Sequence, residues 1–476
     1  MSFYRCLPIV AVLLSAAGCL AVHEARRAQK EVAPRGVLAP ATSGRLDLRA
    51  ASLAELVEFA LTNRPSVASA ALDVEDARLA MRTIAADAPV LSESPFNAIR
   101  MSANVGHSAS SQSAQHLDSL SSKTDGSASG GLSLDLLLWD FGRHDAHVRA
   151  QAERVLAAEL AFAEASYSVF SEVCKAYFGV LEKDALLAVA QSNECEYAEH
   201  LQQAEERLAA GEARELDVLR AKLDLATAME STVAAANETV TAGAELMNAL
   251  GIDASRGGRS DALTPLDDPV RLRRRAFVDT EDSLEAAFDI ARTNAPAMRI
   301  ARARLRAASA DVDAAIAELL PEISASLSLN WTDPFWYWRW GVSGVQSLLT
   351  GGRRTTAIDR AAVAMRGAAV AVDAAEQSLS LSLSLALAER DNARTALKTT
   401  EASVRQAHEN LDTVREQMGL GDASRVDYAD AVAALTAALG NRIKAFYRGQ
   451  VAEAKLFALV GRPPEYSEET IAEEPK

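Results

Sequence analysis

Aromatic residues make up only 5% of this 476-residue chain, a small share for a large globular enzyme. Proline is absent from Phe96 to Thr264 and again from Phe335 to Arg462, so no helix breaker of that kind interrupts either stretch. Beyond the N-terminal segment no run of about 18 apolar residues exists, which excludes a transmembrane helix. Positive charge is scarce: 49 Lys and Arg against 65 Asp and Glu leave a net charge of −16. Nucleic acid is therefore not an expected partner, because phosphate binding needs clustered Lys and Arg. Cysteines number four, Cys6, Cys19, Cys174 and Cys195, with no metal spacing such as CxxC. Cys174 and Cys195 read as unpaired, packed residues within helices. P-loop, nucleophile-elbow and HExxH patterns are all missing, so the chain reads as a non-enzyme without a cofactor. His144 and His147, near Asp140 and Asp145, have ligand-like spacing but read as surface residues rather than a metal site.

The N-terminus carries an address. Arg5 precedes a short apolar run from Leu7 to Ala17, and Ser15-Ala16-Ala17-Gly18-Cys19 follows. This is the layout of a signal peptide, and its end resembles a bacterial lipobox, with Ala16 where leucine is usual. The resemblance implies a covalent lipid on Cys19. Leu20 stands where an aspartate would signal inner-membrane retention, so export onward is expected.

What dominates the rest is Ala, Leu, Glu and Arg, the composition of long helices with narrow apolar seams. Within it, Gly211 interrupts an Ala-rich region and is followed by Asp217; Gly421 and Asp427 repeat that arrangement 210 residues later. Glycine ends helices cheaply, so each site predicts a tip where one long helix stops and another begins. Pro65 and Pro296 recur at an offset of 231, and Pro89 and Pro321 at 232. The drop to 210 places about 22 extra residues in the first repeat, and the Ser-, Gln- and Gly-rich stretch 108–129 reads as an exposed loop.

Four segments alternate with period two. Apolar Ile99, Met101, Ala103 and Val105 alternate with Arg100, Ser102 and Asn104, and Leu132, Leu134, Leu136 and Leu138 with Ser133, Asp135 and Leu137. So do Ile323, Ala325, Leu327 and Leu329, then Trp336, Trp338, Trp340 and Val342. Such strands, with serine-rich polar faces, suit a membrane β-barrel wall, and the tryptophans and Tyr337 suit its aromatic girdle. A soluble sheet over helices is the alternative, and the polar faces and export signal argue against it. Four strands cannot close, since membrane barrels need at least about eight. An open edge in lipid leaves backbone groups unsatisfied, so the chain must oligomerise.

Each hairpin hands over to a long proline-free segment. Residues 145–208 as one helix would span roughly 96 Å, and residues 354–418 match it, which points to coiled-coil pairing. Leu379-Ser380-Leu381-Ser382-Leu383-Ser384-Leu385 alternates like a strand, but its counterpart 169–175 does not, and it is read as helix.

Signal, two helix–hairpin–helix repeats and paired Gly…Asp tips together resemble the TolC-like outer membrane efflux proteins. The resemblance implies a mixed α and β fold: a transmembrane β-barrel completed by trimerisation, with four strands per protomer, continuous with a periplasmic α-helical coiled-coil barrel. The expected layout is a signal peptide over 1–18 and a linker over 19–46. A first repeat covers 47–251, with its β-hairpin at about 96–138 and tip at about 207–221. After a linker, 252–280, the second repeat covers 281–462, with hairpin at about 322–348 and tip at about 417–431; residues 463–476 form an acidic tail. Gly142, Arg143, Gly352 and Arg353 look like the family's strand-to-helix junctions. Arg207, Leu208, Gly211, Asp217, Val218, Ala221, Gly421 and Ala431 match its adaptor-contacting tips, and Asp427 and Asp430 its constriction; capping of the outgoing helix is the alternative role for Asp217 and Asp427, which follow glycine turns. The family arginine two residues after Gly421 is Ala423 here. Implied partners are two further copies, a periplasmic adaptor protein, an inner-membrane pump of the resistance–nodulation–division type, and outer-membrane lipid. The implied function is a passive exit duct in the bacterial outer membrane, lipid-anchored with a large periplasmic part. Two alternatives stand beside it: the duct of type I protein secretion, and a non-conducting, lipid-anchored coiled-coil scaffold.

Overall fold

Alanine and leucine at helical spacing, with proline confined to the ends, give long helices, three of which stop at a glycine of positive φ, Gly211, Gly251 and Gly461. The computed structural model describes residues 53–85, 99–111, 124–211, 214–252, 284–332, 335–346, 351–420 and 424–461. In chain order these form α1 (Leu53–Asn63), α2 (Pro65–Ala85), β1 (Ile99–Ser111), β2 (Thr124–Trp139), α3 (Arg143–Ala209) and α4 (Glu215–Ala249). The order then recurs as α5 (Leu284–Asn294), α6 (Pro296–Ala317), β3 (Glu322–Thr332), β4 (Phe335–Val345), α7 (Arg353–Leu420) and α8 (Arg425–Val460). Both long helices, α3 at 67 residues and α7 at 68, follow a strand and end at a tip.

The chain divides into two compact units. One comprises Met1–Ala68, Glu172–Arg271 and Ser403–Tyr447. Its contacts run from α4 to α3, where Lys183 meets Glu238 at 2.9 Å, and from α3 to α8, where Thr436 donates to Asn193 at 3.2 Å. They continue from α8 to α7, where Tyr428, Ala431 and Val432 pack on Leu411. Gly251, with φ of 77°, closes α4 against the Asn63 carbonyl, and Arg64 donates to the Ala249 carbonyl at 3.0 Å and pairs with Glu172.

The other unit comprises Ser69–Ser171, Leu272–Ala402 and Arg448–Lys476. Ala291, Ala295, Met298, Leu383 and Leu456 form its core. The alternating Leu–Ser segment lies within α7, where Leu379, Leu383 and Leu387 are buried at helical spacing while Leu381 and Leu385 are 61% and 53% exposed. Period-two leucines on a helix point to opposite sides, so the pattern supplies both a core face and an exposed one. Gly461 ends α8 as Gly251 ends α4, but in a tighter seat. A Cβ there would lie 2.9 Å from the Asn294 carbonyl oxygen and 3.0 Å from Pro296 Cδ. Tyr167 donates to the Gly461 carbonyl at 2.9 Å.

The sheet of this unit is antiparallel in the order β1-β2-β3-β4. Its register aligns Met101, Leu134, Leu327 and Trp340 in one row, and Ala103, Leu132, Leu329 and Trp338 in the next row of that face. The intervening rows are polar: Ser102, Ser133, Ser328 and Arg339, then Asn104, Gly131, Asn330 and Tyr337. The Ser102 and Ser133 hydroxyls bond at 2.6 Å. A bulge between Leu137 and Trp139 takes Leu138 out of the ladder and sets Trp139 opposite Ile323. Rings mark both ends of the apolar face: Trp139 stands edge-on to Phe141 at 6.2 Å, and Trp331 lies by Trp336 at 6.3 Å.

One expectation is corrected. The stretch 108–129 is not simply a loop, because β1 and β2 stay paired through Ser111 and Thr124. Strand pairing is made by the backbone, so small polar residues continue a ladder that neighbouring residues have already set in register. Residues 112–123 lie outside the described residues.

Candidate gate and docking tips

At the first tip α3 ends at Ala209 and the chain turns through Gly211, whose φ of 79° needs glycine. Asp217, three residues into the outgoing helix, accepts from the Arg214 N–H at 3.1 Å. Ala204, Val218 and Ala221 form the buried contact between the two helices. Val218 and Ala221 are thus core residues of the hairpin; Arg207, Leu208 and Gly211 are exposed. Exposed with them are Leu216 and Leu219, which pattern matching to a family motif passes over.

At the second tip a reciprocal capping box starts α8. The Ser424 N–H and hydroxyl both donate to Asp427 Oδ2, at 2.9 and 2.7 Å, and the Asp427 N–H returns a bond to the Ser424 hydroxyl at 3.3 Å. The Ser424 hydroxyl first, and then its N–H, hold the Asp427 carboxyl below the usual carboxylate range. Asp430 is exposed one turn further on. Its charge, behind burial and Asp224, pushes the Tyr197 phenol up. Ala431 is buried against Leu411; Gly421 and Ala423 lie outside the described residues.

A further group, invisible to spacing arguments, ties this tip to α3. Arg415 of α7 donates to both oxygens of Glu196, at 2.8 and 2.7 Å, and Tyr428 of α8 donates to the same carboxylate at 3.0 Å. His200 stacks on the Tyr428 ring at 5.3 Å. Burial first, and then the Glu196 charge, raise the Tyr428 phenol, while the Glu196 hydrogen bond raises Arg415. Three helices thus converge on one carboxylate next to Asp427.

The strand-to-helix junctions are built locally. Asp140 accepts from the Gly142 N–H at 3.2 Å and the His144 N–H at 2.7 Å, capping α3. Arg143 reaches Glu322 of β3 at 2.8 Å. Gly142 and Gly352 have φ of 86° and 82°; Arg353 is exposed. Among the described residues no group of three or more His, Cys, Asp or Glu could hold a metal ion. Both described cysteines are free: Cys174 is buried, which pushes its thiol up to about 12, whereas Cys195 is exposed rather than packed. Cys19 lies outside the described residues.

The family model described as outer membrane efflux protein matches residues 56–252 and 287–462. The chain belongs to that family. It is 23% identical over 340 residues to the outer membrane efflux protein BepC of Brucella suis biovar 1 (strain 1330), covering 70% of this chain and 72% of that one. Among solved structures, a membrane protein from Pseudomonas aeruginosa is similar with a TM-score of 0.73 at 23% identity, over 90% of this chain and 95% of that one. The outer membrane protein VceC from Vibrio cholerae is similar with a TM-score of 0.72 at 18% identity, over 87% and 97%. At such identities the structural likeness speaks for the fold, the TolC-like channel fold that the repeat of tips and strands implied.

Proposed function

We propose that the protein is the outer-membrane exit duct of a tripartite efflux system. It passively conducts what an inner-membrane pump, of the resistance–nodulation–division type, delivers through a periplasmic adaptor. Three copies make the channel, the apolar sheet face meets lipid, and an acyl chain on Cys19 anchors the N-terminus. The observation that carries this reading is the sheet. It has one continuous apolar face with aromatic rings at both ends, a serine-rich opposite face, and two edge strands, β1 and β4, each paired on one side only among the described residues. In lipid such edges cannot stay open, and three copies would supply twelve strands for closure.

Catalysis and cofactors have no part in this reading. Asp427 and Asp430 ring the constriction, where symmetry repeats their charge and favours cations. The capping bonds of Asp427 are compatible with that role, because a carboxylate held ionised by its cap also presents fixed charge. Arg207, Leu208 and Gly211 meet the adaptor at the first tip, whereas Asp217 holds the turn that presents them.

Single-channel recording from purified protein in planar bilayers tests the reading. Conductance that rises and loses cation preference when Asp427 and Asp430 are replaced by alanine is the expected result. A protein that conducts nothing, even with both replaced and the Glu196 tie removed, overturns it. Metabolic labelling with palmitate tests the anchor: label retained by Cys19→Ser would sink it.

A further inference from the structure

Helix α6 carries an apolar row that leaves the core as it nears the sheet. Its buried seam is Ala303, Ala307, Ala310 and Ala314. Met298, Leu305, Val312 and Ile316 lie on another side, at spacings of seven, seven and four. Met298 is fully buried, Leu305 and Val312 are half-buried, and Ile316 is 49% exposed. Leu319 and Leu320 extend the row beyond the helix, their N–H groups bonded to the Ile316 and Ala317 carbonyls at 3.0 Å, and both side chains are exposed. Scattered exposed leucines need no explanation, but three large apolar side chains gathered at one helix end do.

We infer that Ile316, Leu319 and Leu320, together with Phe141, are seated in the periplasmic leaflet of the bilayer that the sheet meets, against phospholipid acyl chains. The inference rests on the outer-membrane duct reading and adds the end of a helix to the surface that lipid covers. Continuity with the apolar face of the sheet is the first support. The last row of that face is Trp139, Ile323 and Gly344. Phe141 stands edge-on to Trp139 at 6.2 Å and is 40% exposed. Gln346, two residues beyond Gly344, donates to the Leu319 carbonyl at 3.1 Å. The patch therefore prolongs the apolar face and not the serine-rich one.

Position in the sheet favours lipid over a further copy. Phe141 follows β2 and Leu320 precedes β3, the two strands that already have partners on both sides, whereas another copy would add at β1 or β4. Ion pairs of Arg306 with Glu153 and of Asp313 with Arg149 set α6 antiparallel to α3, which brings the end of α6 to the start of α3, beside Phe141. Charge is also kept off the patch. Asp311 and Asp313 are paired with Arg154 and Arg149, and Glu318, two residues past Ile316, leaves the chain on the other side. Short amphipathic segments of this kind settle at the boundary between headgroups and acyl chains, where aromatic rings are also favoured. Among the described residues no helix is long and apolar enough to cross a membrane, so this end lies in one leaflet.

The experiment is nitroxide labelling of the full-length protein in vesicles of phosphatidylethanolamine and phosphatidylglycerol, in a Cys195→Ser background that leaves Cys174 buried. Ile316→Cys and Leu320→Cys are compared with Trp338→Cys on the apolar sheet face and with Arg304→Cys, exposed on α6 further from the sheet. Collision with oxygen, which dissolves in lipid, and with a water-soluble nickel chelate reads the surroundings of each label. The oxygen-to-chelate ratio for the first two variants should exceed that of Arg304→Cys at least threefold and approach that of Trp338→Cys. A ratio equal to that of Arg304→Cys puts the patch in water and overturns the inference. Low collision with both reagents means that protein covers it, which overturns the inference as well. In either case a lipid-like ratio for Trp338→Cys leaves the duct reading standing, whereas a water-like one overturns that reading and this inference with it. Leu319→Cys and Phe141→Cys probe the same patch, with the same outcomes, if either first variant fails to fold.

Discussion

At the second tip a hydroxyl and two N–H groups close a box between Ser424 and Asp427, and Glu196 binds both Arg415 and Tyr428. At the first tip the capping position is Arg214: Asp217 accepts from its N–H at 3.1 Å, and the Asp217 N–H bonds back to the Arg214 carbonyl at 2.9 Å rather than to a hydroxyl. The difference extends to the far ends of the outgoing helices: a Cβ at Gly461 would lie 2.9 Å from a carbonyl oxygen, whereas one at Gly251 would have 3.2 Å. Two halves with the same order of elements have thus been fastened unequally. The better-tied tip is the one that carries the aspartates proposed to ring the constriction, and the other presents exposed leucines. A gate needs contacts that can be broken as a set, whereas a docking tip needs accessible surface.

Four predictions press on that contrast. The largest effect belongs to Gly461→Ala, which combines a left-handed backbone with a close approach and should cost about 2–3 kcal/mol. Gly251→Ala should cost about 1 kcal/mol less. Thermal unfolding of the two variants checks this, and equal losses would erase the asymmetry of the helix ends.

Next comes the Glu196 tie. Its ion pair is partly exposed, with the Arg415 and Glu196 side chains at 42% and 35%, so Arg415→Ala should shift the opening equilibrium by only about 1 kcal/mol, about fivefold. Open probability in single-channel records is the measurement. Tyr428→Phe should give a smaller change in the same direction, and a pair of silent variants would reduce the tie to a structural contact.

Acid should then separate the two caps. The folded pKa of Asp427 lies below the usual 3.8. Its cap therefore contributes fully at neutral pH and is lost as pH falls below 3.8 through the lowered value. Ser424→Ala should abolish this acid-dependent loosening, read as hydrogen exchange at the start of α8, while Arg214→Ala leaves it unchanged. The smallest effect expected is from Asp430→Asn, a loss of about twofold in cation preference. Asp217→Asn should leave ion preference as it was; an equal change from both would mean that the tips share the constriction.

Much of the fold could be read from periodicity. Helix lengths followed from absent proline, strand positions from alternation, and the tip pair from the constant offset of Gly211 and Gly421. The Leu–Ser run at 379–385 was resolved by its counterpart in the other half, since alternation alone cannot separate a strand from a two-faced helix. The strands running past Val105 into the serine-rich stretch were not legible there, because pairing through backbone groups leaves no mark on side-chain composition. Of the site, Asp217 and Asp427 were legible as candidate helix caps, but their partners Arg214 and Ser424 were not. Glu196 and Arg415 carried no signal at all: charged residues occur every few positions on such helices, and the register between helices picks the pair.

By itself, then, the sequence determined which segments are helix or strand, where they turn, and that the sheet has one apolar and one polar face. Those properties follow from local periodicity. Tertiary structure alone decided which face of α4 packs on α3, which carboxylate joins three helices, and where a Cβ would press against a carbonyl. Each depends on how neighbouring helices are set against one another, and an offset of one residue in that setting turns a different side chain inward.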